Sequence, residues 1–371
     1  MITPNPSSGK CCVFHKFWNL VIPAQIQPRI FPEKERVDFT EDLANSLSEQ
    51  NDYKSFYDFD SKLRTEVIAF SVNNFKLPEA GQNFWTRWLL DKTRYRPIRV
   101  LHWGRIFRHY FWGGIPTSTS DHIKVRKYLL QQARLTQADL FVVKDLPKGL
   151  EDCLPKGSIE VQADYQMISY LQPHWKTLLD YEKDLHSKYA SRYKKIVSSG
   201  KFLEKRFGNG ELLKPDLFQF FQLHEQIVER QDFVPVKCTF SYLQTLSNAP
   251  DYSLRVVSIY HEEVPVAFCT SFWNGETYET HLAGINYALN ESYQLYLNLL
   301  YTILEDAISL GAKSINWGRT AVTAKQNIGA EVVPVSTWIY GISILAKLAI
   351  WGWQKSPSLQ RPLQERNPFK K

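Results

Sequence analysis

The chain has 371 residues, 44% of them apolar, and a mean hydropathy of −0.33, the range of a soluble globular protein with room for two domains. Its five cysteines, Cys11, Cys12, Cys153, Cys238 and Cys269, form no CxxC pair and sit at no zinc-ligand spacing with a histidine. That excludes a disulfide framework and a structural zinc site and points to a reducing compartment. The net charge of +7 is concentrated in two runs. Lys188, Arg192, Lys194, Lys195, Lys201, Lys205 and Arg206 face only Glu204, and Lys92, Arg94, Arg96, Arg99 and Arg105 face only Asp91. Such runs are either solvated faces or attractors of phosphate on a cofactor, a nucleic acid or a membrane.

The N-terminus, Met1 to Lys10, is polar and lacks the apolar stretch of a signal peptide, so a cytoplasmic location is expected. Further on, Phe107 to Trp112 reads as a strand ending at Gly113-Gly114, followed by capping residues from Thr117 to Asp121, a helix from about His122 to Leu135 and a strand from Leu140 to Val143. Turn residues Pro147, Gly149, Pro155 and Gly157 precede a lobe boundary near Val161 to Pro173. A long helix is expected from Trp175 to Ser199. The signals of the first half then recur: a strand from Thr277 to Ala283, a glycine at Gly284, caps at Asn290 and Ser292, and a helix from Tyr293 to Leu310. Leu299, Leu300, Ile303, Leu304, Ala307 and Ile308 recur on that helix at helical spacing. Ser314 to Trp317 is the next strand. The strand–turn–helix–strand unit thus occurs twice, with His109 and His281 at similar places.

From Val332 to Trp353 the only charge is Lys347. Val332 to Tyr340 reads as a strand, and Pro334 and Gly341 interrupt any continuous helix. Ile342 to Gln354 is then a short apolar helix that either lies in a bilayer interface or packs on the protein, ahead of a basic tail with Arg361, Arg366, Lys370 and Lys371.

The second half resembles FemAB-like proteins of the GNAT superfamily. His186 to Ile196 resembles the basic helix that opens the acyltransferase lobe, and Leu217 to Arg230 the helix after it. Glu279-Thr-His-Leu-Ala-Gly284 resembles the central strand, and Ser314-Ile-Asn-Trp-Gly318-Arg-Thr, with Lys325 and Gly329-Ala330, the ending. The resemblance implies an α/β fold with a mixed sheet in two tandem GNAT-like lobes, residues 1–165 and 166–341, with an apolar helix and basic tail at 342–371. It also implies an N-acyltransferase that moves an acyl group from a thioester, acyl-CoA first, to an amine such as a sphingoid base; the apolar, Trp-rich C-terminal segment adds the expectation of a peripheral position on the inner face of the membrane. The alternative it carries is transfer from aminoacyl-tRNA to a cell-wall precursor. The Gln/Arg-x-x-Gly-x-Gly/Ala pyrophosphate loop of ordinary GNAT enzymes is absent, since the stretch reads Ile285 to Tyr293 without it, and Glu291 would repel a phosphate there.

Amine attack on an acyl carbonyl needs a neutral amine, donors for the oxyanion and a proton for the leaving group. Glu279 and His281, two apart on a strand, point to one face and are candidates for the base. Backbone N–H groups on a bulged central strand are candidates for the oxyanion donor, and Gly284, a candidate donor-binding residue, marks where that strand opens. Tyr287 is a candidate proton source for a leaving thiolate. Arg319 and Lys325 are candidates to hold a phosphate or a carboxylate. No metal is expected: His224-Glu225 is not followed by the second histidine of HExxH, because position 228 is Val. A non-enzymatic nucleic-acid scaffold would rest on net charge alone and lacks a basic motif.

Overall fold

The computed structural model describes residues 46–47, 53–58, 63–70, 97–105, 108–109, 119–231, 234, 236–248, 254–354 and 366–370. Strands β1 (Tyr53–Asp58), β2 (Leu63–Phe70) and β3 (Ile98–Trp103) run antiparallel to one another. Helix α1 (Thr119–Leu135) then crosses over, and β4 (Leu140–Lys144) lies parallel to β3. The same pairing recurs later: β7 (Leu254–His261), β8 (Val264–Trp273) and β9 (Thr277–Ile285) are antiparallel. Helices α6 (Tyr287–Tyr293) and α7 (Leu295–Ser309) cross over to β10 (Ser314–Asn316), parallel to β9. Strand β6 (Glu204–Gly208) flanks β7.

The two long strands that remain are exchanged between these units. β5 (Ile159–Tyr170) follows β4 in the chain but pairs with β10, whereas β11 (Glu331–Gly341) follows β10 but pairs with β4. β5 and β11 also pair with each other, so the described strands form one eleven-stranded sheet of order β1-β2-β3-β4-β11-β5-β10-β9-β8-β7-β6. A cut between residues 165 and 166 falls inside β5. The strand expected at Phe107 to Trp112 is instead Ile98–Trp103; Arg108 and His109 belong to the segment after it, and the rest of that stretch lies outside the described residues.

Apolar side chains pack on both faces of the later strands, which is why β8, Val-Pro-Val-Ala-Phe-Cys-Thr-Ser-Phe-Trp, reads as a nearly continuous buried run and does not alternate. On one face α7 buries Leu295, Leu299, Leu300, Ile303 and Leu304, each contributing about 1.5–3 kcal/mol of transfer free energy. On the other face α4 (Leu217–Val228) and α5 (Phe240–Ser247) pack against Phe268, Phe272 and Leu282, together with Ile68 from β2. Helix α1 covers Leu101, Trp103, Phe141 and Val143 of the earlier strands.

The long helix expected over Trp175 to Ser199 is two, α2 (Leu178–Asp184) and α3 (Ser187–Ser199). The basic tail causes the break to be satisfied: His186 N donates to Pro368 O at 2.9 Å and Lys370 N to Asp184 O at 2.8 Å, while Phe369 seats between Gly329 and Trp175. The crossover helix also differs from the expected Tyr293 to Leu310. Asn286 caps α6 by accepting from Ala288 N at 3.0 Å, and left-handed Gln294, at φ 44°, turns the chain into α7. Helix α9 (Ile344–Gln354) follows β11 and leaves Ile344, Leu348 and Trp351 exposed.

Candidate active site

Parallel strands β9 and β10 share three rungs, the last joining Glu279 to Asn316, and then part. The fork is built by Asn316, whose fully buried amide has every group engaged. Its Nδ2 donates to Gln166 Oε1 at 2.7 Å, its Oδ1 accepts from Gly318 N at 3.0 Å, and its carbonyl accepts from Thr280 Oγ1 at 3.1 Å. The chain leaves β10 through Gly318, at φ +73°, a left-handed conformation that side chains strain. Just beyond the fork β9 carries one extra residue. Cys269 pairs with Ala283 and Ser271 with Thr280, so Thr270 faces both His281 and Leu282. Its hydroxyl closes the bulge, accepting Leu282 N at 3.0 Å and lying 3.2 Å from His281 Nδ1.

Glu279 and His281 share one face, as their spacing implies, but their surroundings differ. Glu279 is buried and its carboxylate accepts Arg108 Nε at 3.2 Å, Arg108 Nη2 at 2.7 Å and His109 N at 2.7 Å. The Arg108 guanidinium lies 3.7 Å over the Phe272 ring, and His281 meets the same ring edge-on. His281 has both ring nitrogens engaged, Nε2 with Tyr242 Oη at 3.0 Å and Nδ1 with Thr270. Burial, then the charge of Arg108, holds its pKa well below the ordinary value. Gly284 is not at the opening of the strand: it pairs with Phe268, and a Cβ there would stand 2.4 Å from that ring and 2.7 Å from the backbone of α4. The glycine lets α4 lie directly on β9. Tyr287 sits at the start of α6, donating its amide to Gln226 at 3.2 Å beneath the Arg230 guanidinium.

Arg319 and Lys325 approach the fork from the other side. Arg319 pairs with Asp145 at the end of β4, with side-chain exposures of 18% and 10%. Lys325, on the short helix α8 (Val322–Gln326), is buried and donates to Trp317 O at 2.6 Å. Burial lowers its pKa from 10.5 to about 7. Lys144 is lowered to about 8, by burial and then by Arg319. Burial raises Asp145. His102 on β3 is lowered to about 3 by burial and then by Lys144; the Gly104 backbone is near, yet neither ring nitrogen makes a hydrogen bond.

Two further residues complete the arrangement: His109, noted in the sequence as the counterpart of His281, and Arg108, which was not singled out. Arg108 and His109 come from the segment after β3, yet they dock on β9 and β5. His109 donates its N–H to Glu279, its carbonyl accepts from Gln166 Nε2, and its ring lies against Gly318, where a Cβ would approach Cε1 and Nε2 to 2.6 Å. Burial, then Lys325, Lys144, Arg319 and Arg108, lowers the His109 pKa to about 3. For Arg108 the signal was the basic run that leads up to it from Lys92. It is no solvated face there: Arg105 pairs with buried Glu66 at 3.0 Å and Arg108 with Glu279. In the run from Lys188 to Arg206, three of the seven cations are paired among the described residues, through Lys194–Glu182, Lys205–Glu305 and Arg206 with Glu204 and Glu263. Among the described residues no cluster has the makings of a metal site.

Residues 209–326 match the family model described as Acetyltransferase (GNAT) domain. No curated protein matches the sequence. Among solved structures, L-PGS from Bacillus licheniformis is similar at 12% identity and a TM-score of 0.50, covering 89% of this chain and 98% of that one. The C-terminal domain of a putative lysylphosphatidylglycerol synthetase from Agrobacterium fabrum is similar at 10% identity and a TM-score of 0.49, over 86% and 96% of the two chains. FemX is similar at 8% identity and a TM-score of 0.44, over 85% and 98%. At 12% identity the first of these is a likeness of fold. The matched segment contains β9, its bulge, β10 and Lys325, and over that segment the chain is similar to a GNAT acetyltransferase domain.

Proposed function

We propose that the chain is an N-acyltransferase of the FemAB-like, two-lobed kind, which joins an acyl group to an amine at the fork between β9 and β10. The observation that carries this reading is the buried, cation-rich setting of that fork. Pairing between the parallel strands ends at Asn316, where an extended acyl donor would lie, and Lys325, Lys144 and Arg319 are close enough to act on His109 there. Such cations lower the pKa of an incoming ammonium, so they favour the neutral nucleophile, and they stabilise the oxyanion. The repeated strand pairing supports two lobes, with β5 and β11 exchanged between them.

In this reading Glu279 is an anchor for Arg108 and His109 and not a base, because both its oxygens are already held. His281 orients the bulge, because neither ring nitrogen has a lone pair or proton to spare. Tyr287 remains the candidate for protonating the leaving group. Arg319 and Lys325 serve the donor through the potential they create and not as an open phosphate clamp, since one is paired and the other buried.

The donor is an acyl-CoA and the acceptor an amphiphilic amine such as a sphingoid base. The exposed Ile344, Leu348 and Trp351 on α9 favour an acceptor taken from a membrane surface, and among the described residues no helix is long and apolar enough to cross a membrane. The purified chain with acyl-CoAs of graded length and sphinganine should release CoA thiol with saturation kinetics. Transfer from aminoacyl-tRNA without any thiol release would instead select the tRNA-dependent alternative, with a cell-wall precursor or a lipid as acceptor.

A further inference from the structure

The oxyanion donor expected in such a fold is a backbone N–H on the bulged central strand. At this bulge the Leu282 N–H is already spent, since it donates to Thr270 Oγ1 at 3.0 Å. The hydroxyl that takes it is fully buried and also faces His281 Nδ1 at 3.2 Å and Leu282 O at 3.5 Å. The other N–H of the bulge, that of His281, faces the Cys269 thiol, so the donor that meets a carbonyl oxygen in the fork is to be found among side chains.

One side chain is placed for it. His109 enters the fork from the other half of the chain and is pinned there at both backbone groups, by Glu279 on β9 and Gln166 on β5. Arg108 beside it is locked by two bonds to the same carboxylate and by the Phe272 ring. The imidazole rests on Gly318, the residue at which β10 turns away from β9. Among the described residues no group hydrogen-bonds to either ring nitrogen. A ring whose backbone is held on both sides, and which lies against Gly318 at the point where the strand pairing ends, is placed as a preorganised donor, and preorganisation is what makes such donors effective.

The charges around the ring decide which reacting atom it meets. Lys325, Lys144, Arg319 and Arg108 all act on it, so the locus repels an ammonium and welcomes the oxygen on which negative charge develops. The same cations and burial keep the imidazole neutral, and a neutral ring gives one N–H without changing its protonation state.

We propose that His109 donates its ring N–H to the acyl carbonyl oxygen and stabilises the oxyanion during transfer. The assignment rests on the N-acyltransferase reading above. The neutral amine nitrogen attacks the carbonyl carbon, forming the C–N bond while the carbonyl π pair moves to the oxygen held by His109. That pair returns as the C–S bond of the thioester, or the C–O bond of an aminoacyl ester, breaks. The leaving group departs with the bonding pair, and the proton lost by the nitrogen passes to it or to solvent.

The test measures wild type, His109→Ala, His109→Phe and His109→Gln with the acyl-CoA panel and sphinganine, and with aminoacyl-tRNA as the second donor. Removing one such donor costs about 10²–10³ in kcat, so Ala and Phe should both fall by that amount with KM changed less than about threefold. Phe keeps the ring and removes the N–H, so it carries the comparison if Ala fails to fold. Gln offers an amide N–H near the same place and should recover at least about tenfold over Ala. The wild-type kcat profile should show no limb from His109 between pH 5 and 8. Wild-type turnover that survives in both Ala and Phe overturns the role of His109 and leaves the acyltransferase reading intact. A Gln variant as slow as Ala overturns oxyanion donation, and a wild-type limb near pH 6.5 that His109→Gln abolishes while Lys325→Met retains it assigns the ring to proton exchange instead. No wild-type turnover with either donor overturns the functional reading and this assignment with it.

Discussion

Replacing Lys325 by Met should make the protein more stable while it impairs transfer. The ammonium is 4% exposed, and burial drops its pKa from 10.5 to about 7. The sign follows from linkage: between about pH 7 and 10.5 the unfolded chain holds this proton and the native chain releases it, so wild-type stability rises with pH across that window. Each pH unit there corresponds to about 1.4 kcal/mol, so the buried amine costs the native state on the order of 4 kcal/mol at pH 7. Methionine removes that cost with a similar shape, but it leaves Trp317 O without the 2.6 Å donor it now has, a loss of about 1–3 kcal/mol. The net gain should be about 1–3 kcal/mol at pH 7, shrinking as the pH approaches 10.5. Urea unfolding of both proteins at pH 7, 8 and 9 measures it, with kcat recorded beside it. Equal or lower stability in Lys325→Met at pH 7, with the pH slope unchanged, would show that the amine is not desolvated as described. A gain in stability accompanied by full activity would instead remove Lys325 from the electrostatics of the fork.

Gly284→Ala should destabilise the chain by about 2–4 kcal/mol, the range of an overpacked core site or more, because its Cβ would meet α4 backbone at 2.7 Å. Chemical denaturation reads this, and a loss below about 0.5 kcal/mol would mean that α4 does not lie directly on β9. Replacing Ile344, Leu348 and Trp351 together by Ser should weaken binding to anionic vesicles at least tenfold in a flotation assay while the melting temperature holds. A melting temperature lowered by more than about 5 °C would show that α9 belongs to the core.

The local pattern was enough to read several elements. Leu299 to Ile308 repeats at helical spacing because one face of α7 must cover the sheet, and that periodicity survives any tertiary arrangement. β9, β10 and β11 were legible as short apolar runs bounded by turn residues, whereas α4 came from the family resemblance alone. The shared face of Glu279 and His281 followed from the period of a strand, which the extra residue at His281-Leu282 disturbs only beyond His281. Two expectations met competition from distant chain. The helix over Trp175 to Ser199 breaks at Leu185-His186, where residues 368–370 bond to the freed backbone groups. Gly284 reads locally as a point of flexibility, and only the approach of α4 shows that it serves close packing.

What the sequence determined by itself was the chemistry available near β9 and β10: a carboxylate and an imidazole on one strand, followed by two cations and a glycine. Tertiary structure decided what each group is left free to do. Glu279 and Arg108 are 171 positions apart, and the contact between them follows from how the segment after β3 docks on β9. That docking occupies Glu279, and the bulge occupies His281 and the Leu282 N–H. His109 was legible only as the positional counterpart of His281, yet it reaches the fork with no described group bonded to its ring nitrogens. Periodicity reports which face a side chain takes, because that depends on a few neighbouring dihedrals. Hydrogen-bond saturation and desolvation depend on groups brought together from far along the chain, and here they separate the anchors from the donor.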